Sequence, residues 1–241
     1  LALWSLATRW RLPDALPEGL TLRRWREAAP GLVETTATAA GLAALAAIIA
    51  TVLVVGTLLA EERGDPLARA ARRLVHLPLL VPQIAFLFGL QILLLAAGLP
   101  PGAPAVLLAH LVFVVPYVAL SLSAPWAAFD RRHLVAAAAL GAGPARAFWR
   151  IRLPMLLRPV LTAAAVGFAV SAGLYLPTAM IGAGRVETVT TEVVARAAGG
   201  ERGALATYAL VQSALPFAGF ALALLVPALV HRDRRAMRAT R

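Results

Sequence analysis

The sequence predicts an all-α membrane protein, a helical bundle that crosses the bilayer several times, and three observations support this fold class. Of its 241 residues, 60% are hydrophobic and 15% are charged. In soluble domains, about 45–50% of the residues are apolar and about 25% are charged. Apolar segments of roughly 20 residues, the length that a helix needs to cross about 30 Å of hydrocarbon, recur along the chain. These segments lack the strict alternation of transmembrane strands, so helices are expected to satisfy their backbone groups in lipid.

Five apolar segments rich in Ala and Leu predict spanning helices. In chain order, the predicted spans are residues 31–60, 77–99, 105–126, 160–181 and 205–230. Residues 1–30 are interpreted as the tail of a truncated first helix, beginning with LALWSL, followed by an external amphipathic segment. Residues 31–241 are then the transmembrane domain.

Arginine content orients the predicted bundle. All 23 basic residues are Arg, and short loops rich in Arg are retained in the cytoplasm. Residues 61–76, 231–241 and a central loop (residues 127–158) together hold 15 Arg and 5 acidic residues, whereas the segments on the other side hold 8 Arg and 7 acidic residues. The central loop and the C-terminus are therefore expected to be cytoplasmic.

Composition also excludes several functions. The chain has neither Cys nor Lys, which excludes thiolate metal sites and a conventional ATP-binding P-loop, whose Lys contacts the phosphates. Its four His are scattered, without the spacing of metal ligands. The Arg side chains lie beside apolar spans and lack the aromatic platform of a nucleic-acid binder. We therefore expect no catalytic residue, no metal and no nucleic acid, and membrane lipid as one partner of the Arg side chains.

The central loop is too basic for hydrocarbon and too apolar for an ordinary solvated loop. Asp130 can cap a helix over the next ten residues, RRHLVAAAAL, in which four consecutive Ala are strong helix formers. Gly141 can end this helix in the left-handed conformation, and Pro144 suits the first turn of a second short helix. Pro154 and Pro159 separate that second helix from the next span. The loop is thus predicted to form a helix, a Gly turn and a helix.

Phe148 and Trp149 are the aromatic anchors of the second short helix. Aromatic residues and Arg carry much of the binding energy at protein interfaces, so a protein contact is one interpretation. Aromatic residues also form belts at the surface of a membrane, so a lipid contact is the other interpretation. The residues alone favour neither.

A motif in the central loop resembles one of a known family. AA..LGA at residues 136–142, followed nine residues after Ala142 by I-x-L-P at residues 151–154, is similar to the EAA loop of the permease subunits of binding-protein-dependent ABC importers with the type I fold. LPLLVPQIAFLFGL at residues 77–90 resembles the third helix of that family. The positions that match the loop motif are Ala136, Ala137, Leu140, Gly141, Ala142, Ile151, Leu153 and Pro154.

One position departs from that pattern. The Glu of the family's motif falls at Val135 in this sequence. Candidates for the missing polar contact are Asp130, Arg131 and Arg132, about one turn earlier on the same predicted helix.

The resemblance implies a permease subunit of an ATP-driven importer, with the residues above and the two aromatic anchors as coupling residues. In that family the loop contains a coupling helix that lies in a groove of a separate ATPase. The ATPase is present in two copies and binds ATP and Mg, so the permease chain itself needs no cofactor. The other implied partners are a second permease half and a periplasmic or extracellular solute-binding protein. The implied location is the bacterial inner membrane.

Two further stretches carry a narrower resemblance. SLATRWRLPDALPEGLTLRRW at residues 5–25 and YLPTAMIGAGRVETVTTEVVARAAGG at residues 175–200 are similar to permeases assigned to thiamine transport, in which two permease halves are fused. Residues 182–204 would meet the binding protein on the outer face, or would simply be a solvated loop. The charged residues of this stretch are Arg185, Glu187, Glu192, Arg196, Glu201 and Arg202.

Polar side chains inside the predicted spans are candidates for a solute path, because they are costly in lipid and often functional. The candidates are Gln83, Gln91, Tyr117, Ser171, Tyr175 and Gln212, with His110 and Ser121 as further polar positions. Hydrogen bonds between helices are the other interpretation. Glu34 is predicted to lie in the first turn of its helix, where stabilisation of the positive end by its carboxylate competes with a role as a cation site.

A carrier or channel that works without ATP is the alternative function. Such proteins commonly place ionisable residues at the centre of the membrane, and the spans offer only His110, about one third of the way in. A membrane anchor for another complex would not require Gly141. The sequence therefore favours a permease driven by a separate ATPase.

Overall fold

The computed structural model describes residues 1–8, 10, 17–200 and 202–230, and most of them are helical. Within these ranges the helices are α1 (Ala2–Leu6), α2 (Arg23–Glu62), α3 (Pro66–Leu74), α4 (Gln83–Ala96), α5 (Ala103–Ala127), α6 (Arg132–Ala139), α7 (Pro144–Ala147), α8 (Leu153–Met155), α9 (Leu157–Gly173), α10 (Tyr175–Gly182), α11 (Val189–Ala198) and α12 (Arg202–Val230). A 3₁₀ turn covers Leu77–Leu79 and a π turn covers Phe148–Arg152. The only β pairing in the described ranges is one antiparallel bridge between Ala7 and Leu20.

Within the described residues, three helices are long and apolar enough to cross a membrane, namely α2, α5 and α12. Two bent pairs bring the number of spans to as many as five, if each pair counts as one. The predicted all-α membrane bundle is therefore confirmed. The spans predicted over residues 105–126 and 205–230 correspond to α5 and α12, whereas the other three differ from the structure in part.

The helix predicted over residues 77–99 is not continuous. The segment Pro66–Leu79 meets α4 at an angle of 118°, and α4 has 14 residues, which span about 20 Å. Pro78 lies in the 3₁₀ turn and Pro82 is the N-cap of α4. Since the residue before a proline avoids the helical conformation, Pro82 breaks the span at the start of α4.

The helix predicted over residues 160–181 is also broken. It divides into α9 and α10 at Leu174, whose ψ of 94° is extended. Pro177 explains the position of the break, because its ring would clash with the carbonyl of Gly173 in a continuous helix. In α10, Pro177 occupies the first turn, where a missing N–H costs nothing.

The first predicted span is longer than expected, because α2 begins at Arg23 and has 40 residues. At 1.5 Å per residue it extends about 60 Å, more than the roughly 40–45 Å of a bilayer with its headgroups. Glu34 therefore lies three turns inside α2 and not in its first turn. The interpretation of Glu34 as a residue that stabilises the helix N-terminus is wrong.

The centre of the bundle is formed by α2, α5 and α9. Small residues let these helices approach closely, which is how membrane helices commonly pack. Gly167 of α9 is the tightest point, because a Cβ atom there would lie 2.8 Å from Cγ2 of Val118 and 3.1 Å from Cγ1 of Val114. The backbone of Ala47 in α2 is next to the same position. Gly167 thus joins the three central helices.

We expect Gly167→Ala to destabilise the bundle by about 1–3 kcal/mol, because the added methyl group overpacks this contact. Gly173 in the same helix is the matched control, since a Cβ atom there meets nothing within 4 Å. Thermal unfolding in detergent should show a lower melting temperature for Gly167→Ala and an unchanged or slightly higher one for Gly173→Ala. Equal melting temperatures for the two variants would contradict the close approach at Gly167.

Candidate functional site

The first arm of the central loop is α6, and it ends as the sequence predicts. Gly141 has φ +77°, its N–H donates to the carbonyl of Ala138, and the N–H of Ala142 donates to the carbonyl of Ala137, both at 2.9 Å. These two bonds form a Schellman motif, which satisfies carbonyls that the helix end would leave unpaired. Only Gly adopts this conformation without a Cβ penalty. The direction of the chain after α6 is therefore fixed by Gly141.

The start of α6 lies slightly later than expected. The predicted cap, Asp130, accepts a hydrogen bond at 2.9 Å from the N–H of Arg132 through Oδ1. Arg131, not Asp130, directly precedes the first helical residue. Asp130 thus still satisfies one of the free N–H groups of the first turn.

The second arm runs from α7 through the π turn into α8. Pro144 is its first helical residue, as predicted. The arm then bends by 73° at Leu156 to enter α9, so Pro154 lies inside α8 and the break follows it by two residues. Single π turns in α-helices often mark functional sites. Here the π turn places Arg152 against the ends of α2 and α5.

Arg152 and Glu62 form a bidentate ion pair that sequence analysis missed. Nη1 of Arg152 donates to Oε2 of Glu62 at 2.7 Å, and Nη2 donates to Oε1 at 2.5 Å. Arg152 is buried, with 3% of its side chain exposed, while Glu62 at the end of α2 is 22% exposed. Two parallel bonds between a guanidinium and a carboxylate fix geometry as well as charge. The pair therefore clamps the second arm to α2.

Further contacts extend this clamp to α5 and α6. The indole Nε1 of Trp126 donates to Oε1 of Glu62 at 2.9 Å, and the guanidinium of Arg152 lies 4.0 Å from the centre of the Trp126 ring. Arg131 reaches Oε1 of Glu62 at 3.3 Å. We call these four side chains, Glu62, Trp126, Arg131 and Arg152, the loop clamp. They hold both arms of the central loop against the ends of two spanning helices.

The two faces of the central loop differ in chemistry. Ala137 and Ala147 are buried, and Phe148 packs against the core of the bundle. Leu140 is 88% exposed and Trp149 is 66% exposed. We call the two arms of the central loop, held by the loop clamp, the elbow. Its exposed Leu140 and Trp149 offer apolar contacts at the end of the bundle.

The predicted coupling positions are distributed over both faces. Ala136, Leu140, Gly141 and Trp149 are exposed, Ala137 is buried, and Ala142, Phe148, Ile151, Leu153 and Pro154 are half-buried. Val135, where the family's motif has Glu, is 69% exposed. An open cavity of about 610 Å³ lies between the two arms and the end of α2, with Leu134, Ala142, Phe148 and Trp149 among its lining residues. Of the predicted coupling residues, Ala142, Phe148 and Trp149 line this cavity.

The six candidates for a solute path differ in their burial. Ser171 is buried and its Oγ lies 2.8 Å from Nδ1 of His110, while Nε2 of His110 lies 2.9 Å from Oγ1 of Thr178. This small polar cluster joins α5, α9 and α10 across the break at Leu174. Tyr117 is 39% exposed, and the remaining four, Gln83, Gln91, Tyr175 and Gln212, are half-buried. For Ser171 the contacts are those of a hydrogen bond between helices.

The charged residues of the segment 182–204 lie at the opposite end of α2 and α12 from the central loop. Arg196 pairs with Glu192 at 2.9 Å, and Arg185 donates to the carbonyl of Pro101 at 3.2 Å. Glu187 and Arg202 are exposed, and Glu201 lies outside the described residues. Residues 231–241 also lie outside them, so the expected cytoplasmic C-terminus stays a prediction.

The chain was compared with known proteins. A family model described as "binding-protein-dependent transport system inner membrane component" matches residues 52–232. The chain is 41% identical to the inner membrane ABC transporter permease protein YnjC of Escherichia coli strain K12 over 162 residues, 67% of this chain and 32% of that protein. It is 36% identical to the molybdenum transport system permease protein ModB of Mycobacterium bovis over 127 residues, 48% of each.

A third relative is the spermidine/putrescine transport system permease protein PotC of Haemophilus influenzae. It is 29% identical over 129 residues, 54% of this chain and 49% of that protein. The matched stretches thus cover less than half of each of these relatives. Because the family model covers most of the chain, the central loop included, this multi-pass membrane protein belongs to the family of binding-protein-dependent transport system inner membrane components.

Proposed function

We propose that this chain is a permease subunit of an ATP-driven ABC importer and that its central loop is the surface on which a separate ATPase acts. The observation that carries this proposal is the exposed apolar face of the loop, with Leu140 88% and Trp149 66% exposed, on an elbow held by the loop clamp. An exposed apolar patch on a rigid support favours a protein partner over a solvated loop. The names of the relatives, all permease proteins of transport systems, support the same role.

Force passes from the ATPase to the bundle through the loop clamp. When ATP and Mg bind, two ATPase subunits move together, and each carries the loop that it holds. Since Arg152 is joined to Glu62 and stacked on Trp126, a displaced loop moves the ends of α2 and α5 with it. The bundle then switches between openings on the two sides of the membrane. The solute gives the cycle a direction only if it binds the two states with different affinity.

The other partners of the complex lie around the bundle and on its outer face. A second permease half, fused or separate, completes the transporter. YnjC is long enough to contain a second half, because the match covers only 32% of its length. A periplasmic or extracellular binding protein meets the segment 182–204, where Arg185 and Glu187 are exposed. The complex lies in the bacterial inner membrane with the central loop and the C-terminus in the cytoplasm, as the excess of Arg on that side favours.

The test is coexpression with candidate ABC ATPases, comparing wild type with Gly141→Val. A β-branched residue at φ +77° costs about 1–2 kcal/mol and redirects the loop. We expect the ATPase turnover stimulated by the permease to fall at least about fivefold. Gly141→Asn is the matched control, because Asn tolerates the left-handed conformation, and it should retain most of the stimulation.

Two results would overturn the proposal. One is an ATPase that copurifies with Gly141→Val and turns over at the wild-type rate. The other is solute uptake that continues without ATP and stops when the proton gradient is removed, as expected of a secondary carrier.

A further inference from the structure

A second cavity lies at the end of the bundle opposite the central loop. It is open to solvent and has a volume of about 740 Å³. The N-terminal segment, the start of α2 and the start of α12 contribute to its wall. Trp4, Trp10, Arg24, Arg202 and Tyr208 are among the residues that line it. Its volume lies within the roughly 300–1,000 Å³ range of small-molecule sites. Nothing in the proposed coupling to an ATPase uses this cavity.

The wall of this cavity combines aromatic faces with guanidinium groups. The rings of Trp4 and Trp10 stack with their centroids 4.6 Å apart. The guanidinium of Arg202 lies 6.0 Å from the Trp4 ring, and that of Arg196 lies 4.2 Å above the Tyr208 ring. Arg guanidinium groups bind phosphate with paired hydrogen bonds, and aromatic faces hold the apolar part of an amphipathic ligand.

Among the charged residues that line this cavity, Arg202 is available to bind a ligand. Arg24 already donates to the carbonyls of Trp4 and Thr8, which fixes the N-terminal segment on α2. Glu27 at the rim pairs with Arg23 at 2.6 Å. Arg202 is exposed, and no acidic side chain in the described part of the chain forms an ion pair with it. It also opens α12, so the positive end of a long helix faces the same space.

The cavity lies at the level of lipid headgroups. Gly31 and Tyr208 are among its lining residues, and Tyr208 is buried. Along α2, Gly31 is about 45 Å from Glu62 at the other end of the bundle, which matches the roughly 40–45 Å of a bilayer with its headgroups. Trp and Tyr concentrate at this depth in membrane proteins. A bilayer has headgroups at both surfaces, so the depth of the cavity is the same whichever side of the membrane this end of the bundle faces.

We propose that this cavity binds the headgroup of an anionic phospholipid, with the phosphate at Arg202 and the glycerol region against Trp4 and Trp10. The acyl chains of such a lipid would lie along the exposed apolar side chains of α12, among them Phe217, which is 74% exposed. A bound headgroup joins the N-terminal segment to α12 and so stabilises this end of the bundle.

The probes are dioctanoyl phosphatidylglycerol, dioctanoyl phosphatidylcholine and inorganic phosphate, each titrated into the delipidated full chain in detergent. Tryptophan fluorescence and the melting temperature report binding. We expect phosphatidylglycerol to bind most tightly and to raise the melting temperature. Arg202→Gln should weaken its binding about fivefold, the usual effect of one Arg at a membrane surface, and Arg202→Lys should retain most of it.

Arg185→Gln is the matched control, because Arg185 is exposed at the same end of the bundle but does not line the cavity. It should bind phosphatidylglycerol like the wild type. Equal affinities of wild type and Arg202→Gln would overturn the proposal. So would inorganic phosphate that binds as tightly as phosphatidylglycerol, which indicates a free-anion site, or phosphatidylcholine that does so, which indicates unspecific partition. An absence of binding by all three probes would overturn it as well and leave the surface to a protein partner.

Discussion

Leu140→Asp and Trp149→Ala should each abolish most of the binding of the ATPase while leaving the bundle folded. Both side chains are largely exposed, and Trp149→Ala removes one edge contact with the Phe148 ring, worth about 0.5–1.5 kcal/mol, so both variants should stay folded. At a protein interface, loss of a central Trp commonly costs at least about 2 kcal/mol, or roughly 30-fold in affinity. A charge in place of Leu140 would be desolvated in the interface at a similar or larger cost. Binding of the purified ATPase to the permease in nanodiscs measures the effect.

Leu67→Asp is the matched control for Leu140→Asp. Leu67 is 78% exposed on α3, which belongs to another segment that we propose to be cytoplasmic. The same substitution should leave ATPase affinity within about twofold of wild type, because α3 lies outside the central loop. Equal losses from Leu67→Asp and Leu140→Asp would show that general surface charge, and not the loop, determines the affinity.

Glu62→Gln should destabilise the protein by about 3 kcal/mol, the second large effect. The substitution leaves the charge of Arg152 buried and without its carboxylate, and a buried charge that loses its partner commonly costs about 3–5 kcal/mol. The lower end applies because Glu62 is partly exposed to solvent. Unfolding by heat or by SDS in detergent micelles measures the loss. Coupling should fall with it, since the loop is no longer joined to α2.

Two comparisons isolate the ion pair. Glu61→Gln removes the neighbouring carboxylate, whose partner Arg72 is 49% exposed, so it should cost at most about 1 kcal/mol. The double change Glu62→Gln with Arg152→Met removes both charges and should recover most of the stability, because Met packs in the buried position without needing a partner. If Glu61→Gln and Glu62→Gln were equally destabilising, the loop clamp would have no special role.

The helical architecture and the first arm of the central loop could be predicted from local sequence. Four Ala, followed by Leu140 and Gly141, determine where α6 ends, and Gly141 adopts the expected left-handed conformation, with φ +77°. Hydropathy, in contrast, does not register a break inside an apolar run, so the division between α9 and α10 at Leu174 was missed. The signal was Pro177, because in a continuous helix its ring would clash with the carbonyl four residues earlier.

The loop clamp could not be predicted because it depends on contacts between distant parts of the chain. Glu62 and Arg152 are separated by 90 positions in the sequence, and their contact follows from how α2, α5 and the π turn meet. From the sequence, both residues were expected only to be charges of cytoplasmic loops. An Arg inside the otherwise apolar FWRIRLP stretch was the available signal, because a buried guanidinium requires a partner. The role of the polar residues in the spans depends on packing in the same way.

The most direct test of the central claim, that an ATPase holds the exposed elbow, is the reactivity of a single cysteine at Leu140 toward a maleimide. The chain has no native Cys, so Leu140→Cys and Leu67→Cys each give one labelling site. We expect both cysteines to react rapidly in the permease alone and the ATPase to slow labelling at position 140 at least about tenfold, with no change at position 67. Equal labelling rates at position 140 with and without a bound ATPase would show that the ATPase does not hold the central loop.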